Sequence, residues 1–146
     1  MTRPDRPLLV VDDNDDDATL ALRVLREEGG QHIDRARDGE EACAYLFGDS
    51  GAERRPLPRM VLLDLHMPRL DGIEVLQRIR ADERTRLLPV VMFTSSDAED
   101  DVVRSYRLGV NGFVRKPVDQ FEFRAALRAL GDYWLNLNEA PPERAP

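Results

Sequence analysis

The stretch that most constrains this chain runs from Met60 to Gly72, MVLLDLHMPRLDG, where an unbroken apolar run stops at a carboxylate and a turn follows. Met60, Val61, Leu62 and Leu63 do not alternate with polar residues, which suits a strand covered on both faces in a parallel sheet. Asp64 then stands at that strand's carboxyl end, and open parallel sheets bind their ligands in the crevice outside those ends. Pro68 and then Asp71-Gly72 mark a turn. Asp71 followed three residues later by Glu74 predicts a helix start, because both side chains can take up backbone N–H groups that a first turn leaves unpaired.

The same pattern recurs along the chain. Leu8 to Val11 runs into Asp12 and Asp13, Leu88 to Phe93 into Thr94-Ser95-Ser96, and Gly112-Phe113-Val114 into Arg115-Lys116-Pro117. His32 to Arg37 is weaker and more polar, as an edge strand would be, with His32 a surface side chain. Helical spacing separates these runs. Ala21, Val24 and Leu25 share one face before Gly29-Gly30 closes the helix, and Ala42, Tyr45 and Leu46 point inward from a helix over 39–47. Ile73, Leu76 and Ile79 give the next its apolar stripe. A helix over 97–108 has an acidic first turn and a basic last one, as its dipole favours, and the last helix starts near Val118 or Asp119. Asp15 to Asp17 read as capping and dipole compensation, an account that does not extend to Asp12 and Asp13. Strand and helix thus alternate five times, which predicts a five-stranded parallel sheet with helices on both faces. Right-handed crossovers return every strand in one direction, so a single rim collects Asp12, Asp13, Asp64, Thr94 and Lys116.

Composition narrows the partners. At 146 residues, with a formal net charge of -7, the chain is one domain's worth and is opposed to nucleic acid or an anionic membrane as a general partner. Its single cysteine, Cys43, suits a reducing cytoplasm and reads as a small apolar helix residue. No apolar run approaches the roughly 20 residues that span a bilayer, and Leu8 to Val11 is too short for a signal-peptide core. Residues 1–6 are expected to be disordered, 7–131 to form the domain and 132–146 to extend it.

Three carboxylates gathered at one rim repel, each pair by about 4 kcal/mol at 4 Å with an effective dielectric near 20. A cation is therefore expected among them, and all-oxygen ligands suit a hard divalent ion, Mg²⁺ first and Mn²⁺ next. Lys116 adds a second positive group. Such a site admits phosphate beside carboxylate. The Thr94 hydroxyl could donate to a phosphoryl oxygen, and Asp64, centrally placed, could itself be the nucleophile and form an acyl phosphate.

The pieces LLVVDDN (Leu8 to Asn14), LLDLHMPRLDG (Leu62 to Gly72), VVMFTSS (Val90 to Ser96) and GFVRKP (Gly112 to Pro117), in that order and each at a strand end, resemble the receiver domain of bacterial two-component response regulators. The resemblance covers residues 7 to about 130. It implies a flavodoxin-like (βα)5 fold with strand order 2-1-3-4-5, and Asp64 as acceptor of phosphate from a histidine kinase. It further implies that Asp13 and Asp64 ligate Mg²⁺, that Asp12 acts through metal-bound water, and that His66 contributes its backbone carbonyl rather than its imidazole. Lys116 would pair with a phosphoryl oxygen, with a cis bond to Pro117. Thr94 would move to the phosphoryl group while Phe113, at the aromatic switch position, turns inward without a hydroxyl to signal with. Ser95 fills a position where a small residue keeps the acceptor accessible. The altered surface would take in Val102, Val103, Tyr106 and the last helix.

Only a short tail follows Leu130, so output is expected through binding. Phe123, Leu127, Leu130, Trp134 and Leu137 recur at alternating four- and three-residue steps, the spacing of a contact seam. The first three suit packing on the sheet. Trp134 and Leu137 lie beyond it, which predicts a homodimer through the last helix and tail; the alternative is a tail folded back on its own domain. The YWLNLNEAPP tail and the GDSGAERRPLPR insertion resemble the stand-alone receivers that partner bacterial phytochromes, implying a light-sensing kinase as phosphodonor. Two rivals share the chemistry or the fold. An Mg²⁺-dependent phosphatase working through an aspartyl phosphate would want an acidic residue where His66 stands, and a flavin or nucleotide module would want a Gly/Ser/Thr-rich phosphate loop where Asp12 to Asp17 stand.

Overall fold

The structure, a computed structural model, describes residues 6–30, 32–48 and 55–143. Strands β1 (Leu8–Val11), β2 (Ile33–Ala36), β3 (Met60–Leu63), β4 (Val90–Thr94) and β5 (Gly112–Arg115) alternate with helices α1 (Asp15–Glu27), α2 (Gly39–Phe47), α3 (Gly72–Ala81), α4 (Glu99–Arg107) and α5 (Gln120–Gly131). All pairings are parallel, in the order β2-β1-β3-β4-β5. The fold is the flavodoxin-like receiver arrangement that the sequence implied, with polar β2 on one edge and β5 on the other.

Every residue of β1 and β3 is buried, and side-chain parity explains why neither run alternates. Leu9, Val11, Val61 and Leu63 face one layer, shared with Ala42, Leu46, Ile73, Leu76 and Ile79 of α2 and α3. Leu8, Val10, Met60 and Leu62 face the other, shared with Ala21, Val24 and Leu25 of α1 and Phe123, Leu127 and Leu130 of α5. Side-chain caps fix most helix starts. Asn14 accepts from the N–H of Asp17, Asp38 from Glu41 and Asp119 from Glu122, and Asp71 with Glu74 forms a reciprocal capping box. The exception is α4. It starts at Glu99 rather than Asp97, after an Ala98 that offers no cap, because the Ser96 hydroxyl takes the Ala98 N–H and holds 96–98 as a loop.

Other expectations change as well. The Lys116–Pro117 bond is trans, as there is no cis peptide among the described residues; proline weakens the trans preference without reversing it. The five-residue seam does not continue past α5, because Asp132–Leu137 is a π-helix whose wider turns rotate the faces. Trp134 and Leu135 pack against the layer under α1 and α5, whereas Leu137 is 67% exposed. The tail also lies along its own domain. Arg59 donates to the carbonyl of Leu135, Arg6 to that of Pro141, and the Glu143 carboxylate accepts from the Leu57 N–H and the Arg84 guanidinium. Arg6, expected in a disordered terminus, is held by these bonds and by two more to the Leu57 and Pro58 carbonyls. The rest of that expectation, on residues 1–5, lies outside the described residues, as do residues 49–54 of the insertion. No helix among the described residues is long and apolar enough to cross a membrane.

Candidate functional site

The carboxyl ends of β1, β3, β4 and β5 meet on one rim. Asp12 follows β1 directly, and its N–H extends the ladder to Ala36 of β2. Its Oδ1 accepts from the Asn14 N–H at 2.9 Å, and its Oδ2 from Lys116 Nζ at 2.7 Å. Asp64 follows β3. There Oδ1 accepts from the Leu65 N–H at 2.8 Å and Oδ2 from Lys116 Nζ at 3.2 Å. Gly72 allows this turn to close: its N–H donates to the Leu65 carbonyl, and a Cβ in its place would collide with the Asp64 carbonyl oxygen and the Leu65 Cα. Asp13 is exposed beside these two buried carboxylates.

Lys116 reaches the cluster from the end of β5, its own N–H bonded to the Thr94 carbonyl at 2.7 Å. The ammonium lies 5.9 Å from the centre of the Phe93 ring and donates to a third carboxylate, Asp17, at 2.9 Å. Burial alone would lower the affinity of Lys116 for its proton. The hydrogen bonds to Asp12 and Asp17 and the charges of Asp64 and Asp12 outweigh it, so the ammonium is held above its usual range. Asp12 goes the other way for a carboxylate: burial, with a smaller push from Asp64, raises it to about 6 against the pull of Lys116.

One carboxylate oxygen each from Asp12, Asp13 and Asp64 lie within 4.8 Å of one another. An all-oxygen, anionic set of that size, with one member open to water, fits a hard divalent cation such as Mg²⁺. The repulsion among these groups is only partly met by one ammonium, which is the physical reason a cation belongs there.

Thr94 ends β4 fully buried, its hydroxyl oxygen accepting from the Ser96 N–H at 3.3 Å. Ser95 is exposed. The Ser96 hydroxyl donates to the Asp101 carboxylate at 2.6 Å. His66 turns its imidazole outward, 66% exposed, with Nε2 at 3.4 Å from that same carboxylate. Phe113, opposite Met92 in β5, is half-buried against the layer under α2 and α3. Asp12, Asp13, Asp64 and Lys116 are thus brought into one cluster, with Thr94 on the same rim and Phe113 two positions back from it. Trp134 and Leu137 belong to the tail.

Sequence reasoning missed three participants. Asp17 reads in the sequence as a capping residue, yet helical side chains lean toward the N-terminus, so a first-turn acid on a helix that starts at the rim can reach back to it. Arg35 has, in the sequence, only the character of a polar edge strand. Its Nη2 joins the Asp12 carbonyl to the Asp15 carboxylate. Asp101, which accepts from the Ser96 hydroxyl and lies 3.4 Å from His66 Nε2, carries no local signal, since its role depends on how α4 sits against two loops.

Residues 8–128 match the family model described as the response regulator receiver domain. Among curated relatives, the probable methanogenesis regulatory protein FilR2 of Methanothrix harundinacea is 40% identical over 92% of this chain and 86% of its own length. The response regulator Rcp1 of Synechocystis is 33% identical over 96% of both chains, and its Mn²⁺-bound crystal structure superposes with a TM-score of 0.87 over 94% of this chain and 99% of that one. The bacteriophytochrome response regulator AtBRR is 47% identical, with a TM-score of 0.67 over 92% of this chain and 98% of its own.

Proposed function

We propose that this chain, which belongs to the response regulator receiver domain family, is a phosphoryl-accepting switch with Asp64 as its acceptor. The observation that carries the reading is the Asp64 carboxylate at the end of the central strand, buried yet flanked by Lys116 and two further carboxylates. In the transfer an Asp64 Oδ attacks the phosphorus of a phosphohistidine on the kinase; the N–P bond breaks as the O–P bond forms, and the imidazole leaves. Asp12, Asp13, Asp64 and the His66 backbone carbonyl would hold Mg²⁺, which supplies charge neutralisation at the phosphoryl oxygens. Lys116 gives up a carboxylate oxygen for a phosphoryl one. The Thr94 hydroxyl, exchanging its contact with the Ser96 N–H, donates to another. Phe113 follows Thr94 inward, and the α4 face bearing Val102, Val103 and Tyr106 carries the change outward.

We take the phosphodonor to be a bacterial phytochrome kinase in the cytoplasm, a reading supported by the likeness to AtBRR. Output is by protein contact, including a homodimer through α5 and the tail. Tyr133 and Leu137, 49% and 67% exposed on that segment, are the side chains a second copy would cover; Trp134, set on its own core, would shape that surface from beneath. Sedimentation of wild type and Leu137→Glu tests this, with a concentration-dependent dimer lost in the variant as the expected result.

The acceptor is tested by intact mass after incubation with acetyl phosphate, with and without Mg²⁺, on wild type and Asp64→Asn. One added phosphoryl group that needs both Mg²⁺ and Asp64 is expected. An adduct indifferent to Asp64→Asn would sink the assignment. Steady turnover of small phosphate esters would favour a phosphatase instead.

A further inference from the structure

Lys116 is the only lysine of the chain, and its ammonium donates three hydrogen bonds, as many as it has protons. Two of its partners, Asp12 and Asp64, belong to the trio of carboxylates that can hold a cation. The third does not. Asp17 stands on the first turn of α1, its N–H fixed by the Asn14 side chain and its carboxylate 29% exposed. A divalent cation settling between Asp12, Asp13 and Asp64 competes with Lys116 for their oxygens and repels the ammonium. Left with those two partners alone, Lys116 and the cation would tend to displace one another.

We propose that Asp17 is a positioning residue for Lys116: it retains the ammonium at the rim when a cation claims Asp12 and Asp64, so that both positive groups occupy the site together. The inference rests on reading Asp12, Asp13 and Asp64 as cation ligands. Its plain competitor is that Asp17 merely adds negative charge to the N-terminal end of α1. Asp16 separates the two, because it carries the same charge on the same turn, is exposed, and is not among the partners of Lys116.

Because Lys116 is the sole side-chain amine, its availability can be read directly in the full-length protein. The measurement is its rate of acylation by a small N-hydroxysuccinimide ester, followed by peptide mass spectrometry with and without saturating Mg²⁺. Wild type, Asp17→Asn, Asp17→Glu and Asp16→Asn are compared, with Mg²⁺ affinity measured by calorimetry on the same samples. In wild type and Asp16→Asn, Lys116 stays protected when Mg²⁺ binds. In Asp17→Asn with Mg²⁺ its acylation rises about tenfold, the scale of losing one hydrogen bond to a charged group. Asp17→Glu restores protection. Mg²⁺ affinity falls roughly fivefold in Asp17→Asn and about twofold or less in Asp16→Asn. If Asp17→Asn and Asp16→Asn match in both readouts while wild type binds Mg²⁺, Asp17 supplies only helix-end charge and the proposal is overturned. If wild type binds no Mg²⁺ at all, the cation reading fails and takes the proposal with it.

Discussion

Helices α1 and α4 both begin at the reactive rim, and they are held there very differently. α1 buries Ala18, Ala21, Val24 and Leu25 and is capped by Asn14. Of the nine residues in α4 only Ser105 is buried; the helix starts at an uncapped Ala98 and leaves Val103 and Tyr106 about half exposed. Carboxylates that must stay in register, Asp12 and Asp17, therefore hang from the firmly packed side. Groups proposed to move, Thr94 and its loop, adjoin the loosely packed one. A switch needs this asymmetry, because an element that shifts on a modest change in charge has to come from the low-stability end of the fold.

The largest test removes matched apolar groups from the two sides. Leu25 of α1 is fully buried in the layer it shares with α5, so Leu25→Ala should cost about 2–5 kcal/mol in urea unfolding. Val103→Ala, on the open face of α4, should stay within about 0.5 kcal/mol of wild type. Comparable losses would mean that α4 is anchored as firmly as α1.

Next in size is the electrostatic strain stored on the firm side. Asp12 is raised to about 6 from its ordinary 3.8, so the folded protein holds that proton more tightly than the unfolded chain. The resulting advantage is full below about pH 4 and is lost as pH rises through about 6, amounting to at most about 3 kcal/mol. In chelator-treated protein, Asp12→Asn should therefore be more stable than wild type at pH 7 and should lose that advantage near pH 4. Saturating Mg²⁺ should stabilise wild type at pH 7 through ligand binding to the folded state. A wild-type curve that is flat between pH 4 and 7 without Mg²⁺ would remove the strain from the account.

The firm side was also the legible one. Runs such as Leu8 to Val11 and Met60 to Leu63 announce buried strands by failing to alternate, and whatever follows such a run must land on the rim. Counting from strand ends therefore puts Asp12, Asp64, Thr94 and Lys116 on the rim. Asp17 was visible but outweighed by a commoner explanation, helix capping. The tail was illegible for another reason. Its anchors join residues 59 to 135 positions apart, as in Arg84 to Glu143 and Arg6 to Pro141, and no local pattern encodes a partner that distant. The seam through Leu137 failed because sequence spacing assumes an α-helix, and the backbone turns π-helical at Asp132.

The smallest effect asks why α4 is loose. Two causes are present together, shallow burial and the absent cap, and Ala98→Ser separates them. Ala98 already has the extended backbone of an N-cap, φ -76° and ψ 124°, and its carbonyl already takes the Asp101 N–H at 3.1 Å, so the donor left for a serine hydroxyl there is the Asp100 N–H. Serine is preferable to aspartate because Asp97, Glu99, Asp100 and Asp101 crowd the same turn. A gain of about 0.5–1 kcal/mol is expected, seen as slower amide exchange confined to α4. If the cap matters to switching, the Phe113 ring signals should also shift less when beryllofluoride is added as a phosphoryl mimic, since the added bond must be strained or broken as the loop moves. Slower exchange with an unchanged Phe113 response would assign the looseness that matters to shallow packing. The place to tune the switch would then be the underside of α4, where Ser105 sits, and not its N-terminus.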